Sequence, residues 1–198
     1  MKAKEFLALC WKHYLALETD FNQISRYVSF TSDNCNCYSI EFSKQYQAIC
    51  SELDVMCKQY CELLDSGAKC ENIIDYAKII TPKRPNIVHA EVLCEEYLLK
   101  PWIGWDKKSP SWWFYYNKVK HQRIDIGDDG RPYYKQANLQ NTIDSLSALF
   151  VIELNMYKDL VIIEGDTVTK PPSPSHLLHY VDWEPNVIVL PGGLAFVP

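Results

Sequence analysis

Residues 111–123 read SWWFYYNKVKHQR, the densest collection in the chain of side chains that could do chemistry. On a helix, Asn117 and His121 stand four apart and Lys120 three beyond Asn117, so all three can point into one patch. Trp113 lies one turn before Asn117 on the same side. Imidazole is the side chain that titrates near neutrality, so a His beside a Lys and an Asn amide has the composition of an acid/base centre. Tyr116, Lys120 and Arg123 make the adjacent row, and Trp112, Tyr115 and Val119 an apolar stripe suited to the core. The same residues have a plainer reading. Lys118, Lys120 and Arg123 would be solvated ends near a helix C-terminus, where the dipole favours cations. His121 would bond a loop carbonyl, and Asn117 would bridge to a neighbouring helix.

The run P-S-W-W-x-x-Y-N-K-V-K-H-x-R (110–123) is preceded by P-W-I-G-W and followed by A-N-L at 137–139 and a long apolar helix. It resembles a group of uncharacterised bacterial proteins sharing W-W-x-x-Y-N-x-x-K-H-x-R. That pattern is similar in turn to the HEPN superfamily, all-helical domains that often act as metal-independent RNases through R-x4-6-H, with a polar residue such as Asn after the Arg. The resemblance spans about residues 97 to 155. It places Asn117 at the polar position and His121 at the His, but Tyr116 stands where the superfamily carries its Arg. Phosphodiester cleavage of this kind needs a base for the 2'-hydroxyl and a cation for the charge that develops on phosphate. His121 would be the base, and Lys120 or Arg123 the replacement cation. Lys is the poorer bidentate phosphate clamp. The chain holds four Arg (26, 84, 123 and 131), of which Arg123 lies two helical turns beyond Tyr116.

Two functions follow. The first is a non-catalytic or degenerate HEPN-like helical protein of bacterial origin, a phage-defence or toxin–antitoxin component that acts through protein contacts. The alternative is an RNase or RNA-binding protein using Asn117, Lys120 and His121 as catalytic groups, with Lys118, Lys120, Arg123 and Tyr116 on the nucleic acid. The partners implied are a second copy of the chain in a homodimer, RNA at a local basic patch, and an operon-encoded protein. No membrane partner and no cofactor are expected.

The rest of the chain narrows the field without adding a second site. Net charge is −5, with 25 acidic against 20 basic residues, so a nucleic-acid surface must be local. The N-terminal apolar run is broken by His13 and Glu18 too early for a secretory segment, and no run reaches the roughly 20 residues of a membrane span. A cytoplasmic protein is expected. Eight Cys without that segment read as reduced thiols. Cys50, Cys57 and Cys61 can share one helix face as small apolar residues. Cys35 with Cys37, and His176 with His179, offer metal-ligand types without a converging second pair, so no metal site is expected.

Helices must position the patch. Apolar positions predict a helix over 3–19 and a second element over about 20–30. Phe42, Tyr46, Ile49, Leu53, Met56, Tyr60 and Leu63 recur at steps of four and three, the seam of a helix over about 39–65 closed at Ser66–Gly67. A short helix over 71–80 and a loop at TPKRPN follow, since two Pro oppose helical bonding. IVHAEVLCEEYLL (87–99) leans to strand, and 100–110 is irregular. Ser109 as N-cap and Pro110 in the first turn would start a helix running to Ile124. IGDDGRP is a turn. A long helix over about 135–158 carries Leu139, Ile143, Leu146, Phe150 and Leu154 on one face. DLVIIEG and NVIVL read as strands, separated by an extended PPSPS connector. The fold expected is mainly α: an antiparallel HEPN-like helical bundle over 1–158, with a C-terminal extension, 159–198, whose short strands pack on it.

Overall fold

The computed structural model describes residues 1–95, 97–181 and 183, and the strand backbone of 187–190 and 193–196. The N-terminal stripe forms α1 (Ala3–Phe6) and α2 (Lys12–Gln23), joined without a break by a π-helical turn, Leu7–Trp11. The separate element expected over 20–30 does not form. Phe21 and Ile24 are buried on the same stripe, so α2 runs on to Gln23 and ends in a 3-10 turn, Ile24–Arg26.

Helix α3 (Ile40–Leu64) follows the expected seam closely. Ser39 caps it by accepting from the Phe42 N–H at 3.0 Å. Phe42, Tyr46, Ile49, Leu53, Met56 and Tyr60 are all completely buried, each contributing on the order of 1.5–3 kcal/mol of apolar transfer. Cys50, Cys57 and Cys61 are buried with them. Helix α4 (Ile73–Lys83) is capped by the Asn72 side chain, which accepts from the N–H groups of Ile74 and Asp75. It runs through Pro82, where a loop was expected. Pro82 gives up its own amide bond and crowds the Lys78 carbonyl, but only the last turn lies beyond it, and Arg84 N–H still closes on the Ile80 carbonyl at 2.8 Å.

Residues 85–99 make a 3-10 turn and then a hairpin, β1 (Val92–Cys94) with β2 (Tyr97–Leu99), turning through Glu95 at φ 51°. Helix α5 (Ser111–His121) and helix α6 (Leu139–Ile163) complete the helical part. Helix α6 starts later than expected because Tyr133–Gln136 forms a 3-10 turn and Asn138 caps, accepting from Asn141 N–H at 2.9 Å. It also ends later. DLVIIEG, expected as a strand, is its last turn, with Leu160 and Val161 buried and Gly165 at φ +76° just beyond. The boundary drawn at 158/159 therefore falls inside a helix.

From there the chain returns as β3 (Leu178–Tyr180), which pairs antiparallel with β1 to give the strand order β2-β1-β3. The last four residues of NVIVL do pair: β4 (Val187–Leu190) runs antiparallel to β5 (Gly193–Phe196), and Asn186 lies outside the described residues. The architecture is mainly helical with a small antiparallel sheet.

Helix directions follow from side-chain pairs. Phe21 meets Phe42 while His13 meets Glu52, so α2 and α3 are antiparallel. Phe6 stacks on Tyr157 while Tyr14 stacks on Phe150, so the N-terminal helix is antiparallel to α6 as well. The two long helices α3 and α6 consequently run in the same direction, which corrects the uniformly antiparallel packing expected. A connection of α4, the hairpin and α5 is long enough to carry the chain back to the starting end.

Candidate functional site

Helix α5 begins one residue later than its sequence suggests. The Pro110 carbonyl accepts from Phe114 N–H at 3.1 Å, which makes Pro110 rather than Ser109 the capping residue. It also ends earlier, at His121, because Gln122 leaves helical geometry at φ −136°. Arg123 is thus in the following loop, not on a helical row with Tyr116 and Lys120. Its main-chain carbonyl accepts from Tyr134 N–H at 2.8 Å.

The aromatic half of α5 is core. Trp112 is buried, and its indole N–H donates to the Pro101 carbonyl at 2.8 Å. Its ring meets Trp102 edge-on at 5.3 Å, and Trp102 in turn donates to the Ala148 carbonyl on α6. Val119 is buried and Tyr115 half-buried, as the apolar stripe required. Tyr116 departs from expectation. It is 4% exposed, packed against Trp113 at 5.1 Å and Tyr46 at 6.0 Å, so its ring offers no open face. Burial pushes its phenol pKa up, and the Lys120 ammonium partly opposes this.

The polar half does not converge as the spacing allowed. The Asn117 amide turns back and donates to the Trp113 carbonyl at 3.0 Å, one turn earlier in its own helix. Lys118 donates to Gln122 at 2.7 Å and lies over the rings of Phe114 (5.6 Å) and Tyr133 (5.2 Å). Lys120 is exposed, 5.5 Å above the Tyr116 ring. His121 is the exposed last residue of the helix. The wider surface repeats the pairing of cation with ring: Lys135 sits 5.6 Å from the Tyr38 ring, which meets Tyr134 edge-on. Arg84 is not available as a replacement cation. Its guanidinium grips Asp159 through Nε and a terminal nitrogen at 2.8–3.1 Å, and the Tyr60 hydroxyl completes that carboxylate at 2.6 Å.

Two acidic residues on α6 were not singled out from the sequence. Glu153 is completely buried and neither carboxylate oxygen has a hydrogen-bond partner. Burial, and then the Glu52 carboxylate, push its pKa well up and favour its protonated form. Glu52 is paired with His13 Nδ1 at 3.1 Å. Cys10, in the π-helical turn, is raised to about 11 by burial and then by Glu153, Glu52 and Glu5. Asp144 lines a cleft at the start of α5 with Ser109, Ser111, Trp112 and Tyr115, and burial lifts it to about 6 against the Gln140 amide that donates to it. An acid inside the apolar run SALFVIELNM was the available signal for Glu153. Nothing in the sequence marked Asp144, whose burial comes from α5.

Among the described residues no group of three or more His, Cys, Asp or Glu is placed to hold a metal ion, and the eight thiols are unpaired. No helix there is long and apolar enough to cross a membrane. No family model, curated protein or solved structure matches the chain.

Proposed function

We propose that this is a non-catalytic, HEPN-like helical protein of bacterial origin, a cytoplasmic defence or toxin–antitoxin component that works by binding another protein. The observation that carries the reading is Tyr116. At the position where the resembling superfamily needs a phosphate-facing Arg, the chain has a buried phenol ring wedged between Trp113 and Tyr46. Two further features support it. Asn117 spends its amide on a carbonyl of its own helix, and Arg123 has left the helix that would have aimed it. The remaining cation beside His121 is Lys120, a point charge that clamps a phosphate less well than the missing guanidinium.

The test is incubation of purified protein with single-stranded RNA, with growth followed on overexpression. The RNA is expected to stay intact. Cleavage or growth arrest that disappears in the His121→Ala variant would overturn the proposal.

A second reading, RNA binding without cleavage, is favoured by one specific feature. Lys118 and Lys135 each lie against an exposed ring, Phe114 and Tyr38, the pairing of cation and stacking surface that single strands use, and Lys120 adds an exposed cation on the helix of Lys118. On that reading Lys120→Ala weakens binding to an RNA oligonucleotide and reduces the salt slope by about one phosphate contact. Salt-independent affinity, or none, removes it.

A further inference from the structure

The turn between α3 and α4 brings two of the eight thiols together. Cys61 stands in the last turn of α3, and Cys70 in the irregular stretch just before Asn72 caps α4. Their sulfurs lie against neighbouring carbonyls of α4. Cys61 Sγ is 4.0 Å from the Tyr76 carbonyl oxygen, and Cys70 Sγ is 3.9 Å from that of Asp75. The two thiols are also side-chain hydrogen-bonding neighbours of each other, and both are unpaired.

Bonds that do not involve sulfur hold this arrangement. The Glu62 carboxylate accepts from the Gly67 N–H at 3.1 Å, and Gly67 takes the left-handed geometry, φ +87°, that reverses the chain. The Asp65 carbonyl accepts from Ala68 N–H at 3.0 Å, and Lys83, at the end of α4, donates to the Leu64 carbonyl at 2.7 Å. Cys57 precedes Cys61 by one helical turn, where side chains lie side by side rather than point at each other. Cys70 instead approaches Cys61 from a separate segment, as a disulfide requires.

The two sulfurs differ in access. Cys61 is buried, and burial and then Cys70 push its pKa well up, which keeps it a thiol. Cys70 is half-buried, so it is the sulfur that a dissolved oxidant meets.

We propose that Cys61 and Cys70 are a reversible thiol–disulfide pair, closed by hydrogen peroxide and opened by a dithiol, that clips the end of α3 to the start of α4. The Cys70 sulfur attacks the peroxide: an S–O bond forms, the O–O bond breaks, and the released hydroxide leaves with the thiol proton as water. The Cys61 sulfur then attacks the Cys70 sulfur. An S–S bond forms, the S–O bond breaks, and the departing hydroxide takes the Cys61 proton to leave as a second water. The two thiols lose two electrons together, and these reduce one peroxide to two waters.

Trypsin cuts after Lys58, Lys69 and Lys78, which leaves each thiol as the sole Cys of its peptide, 59–69 or 70–78. The experiment treats the folded full chain with hydrogen peroxide, blocks the remaining thiols with iodoacetamide, digests under denaturing conditions and reads the peptide masses. Peptides 59–69 and 70–78 are expected as one linked species that dithiothreitol separates. The thermal midpoint of the oxidised chain should rise by roughly 5 to 10 °C over the reduced one, because a closed ring of about ten residues restricts the unfolded chain. Cys70→Ser, at a half-buried position, should lose both the link and the gain. The proposal is overturned if the folded chain gives no such link, if Cys70 goes on to sulfinic or sulfonic acid instead, if the link forms only in denaturant, or if the midpoint does not rise.

Discussion

The Tyr46 hydroxyl on α3 donates to the Trp112 main-chain carbonyl in the first turn of α5, and both residues are buried. One bond ties the seam of a 25-residue amphipathic helix to the segment that carries the chain's most reactive-looking residues. Tyr46→Phe is expected to cost about 1 kcal/mol, the usual net value of such a bond. Trp112→Ala, which empties a core position and frees the Pro101 carbonyl, should cost about 3 to 5 kcal/mol. Urea denaturation checks both, and an unchanged midpoint for Trp112→Ala would show that the ring is not structural.

His121 makes no comparable contribution. It is exposed at the end of its helix, so His121→Ala should stay within about 0.5 kcal/mol of the parent in the same assay. A loss of several kcal/mol would mean that the imidazole is a strut for the loop after α5.

Asp144 sets a pH dependence whose sign follows from its burial. Its folded pKa is raised from 3.8 to about 6, so the folded state holds a proton that the unfolded chain releases earlier. The stability it contributes is complete below 3.8 and is lost as pH rises through about 6. Asp144→Asn should therefore gain on the parent between about pH 4 and pH 7 in paired denaturation curves. An equal difference at both ends would show that the carboxyl titrates normally.

Glu153 carries the same sign. Burial, and then the Glu52 carboxylate, favour its acid form, so the folded state keeps a proton that the unfolded chain releases and stability is lost as pH rises above 4.5. Glu153→Gln should therefore gain on the parent as pH rises above the unfolded carboxyl's 4.5. Glu153→Leu, which replaces two unbonded buried oxygens with apolar surface, should stabilise by about 1 to 3 kcal/mol. Thermal midpoints measure this, and a clear loss in Glu153→Leu would reveal a polar partner for the carboxyl.

Local pattern alone determined much of this protein. Steps of four and three predicted a helix over about 39–65, and α3 forms from Ile40 to Leu64, because one-sided burial along a helix leaves that period in the chain. The same logic placed the aromatic core stripe of α5 and the apolar face of α6. Pattern was weaker wherever a helix end depends on a single bond. Pro82 remained inside α4, and DLVIIEG stayed helical because Leu160 and Val161 had a core to face.

What only the tertiary structure decided is which side chains meet. Helical spacing put Asn117, Lys120 and His121 within reach of one another, but a hydrogen bond to Trp113 turned the amide aside and the burial of Tyr116 removed a ring from the surface. The shared direction of α3 and α6 and the unpaired carboxyl of Glu153 both come from contacts between residues more than a hundred positions apart or on separate helices. A linear sequence records how each segment divides between core and water. It does not record which neighbour fills the other half of each contact, because that depends on how the long crossover between α3 and α6 closes in space.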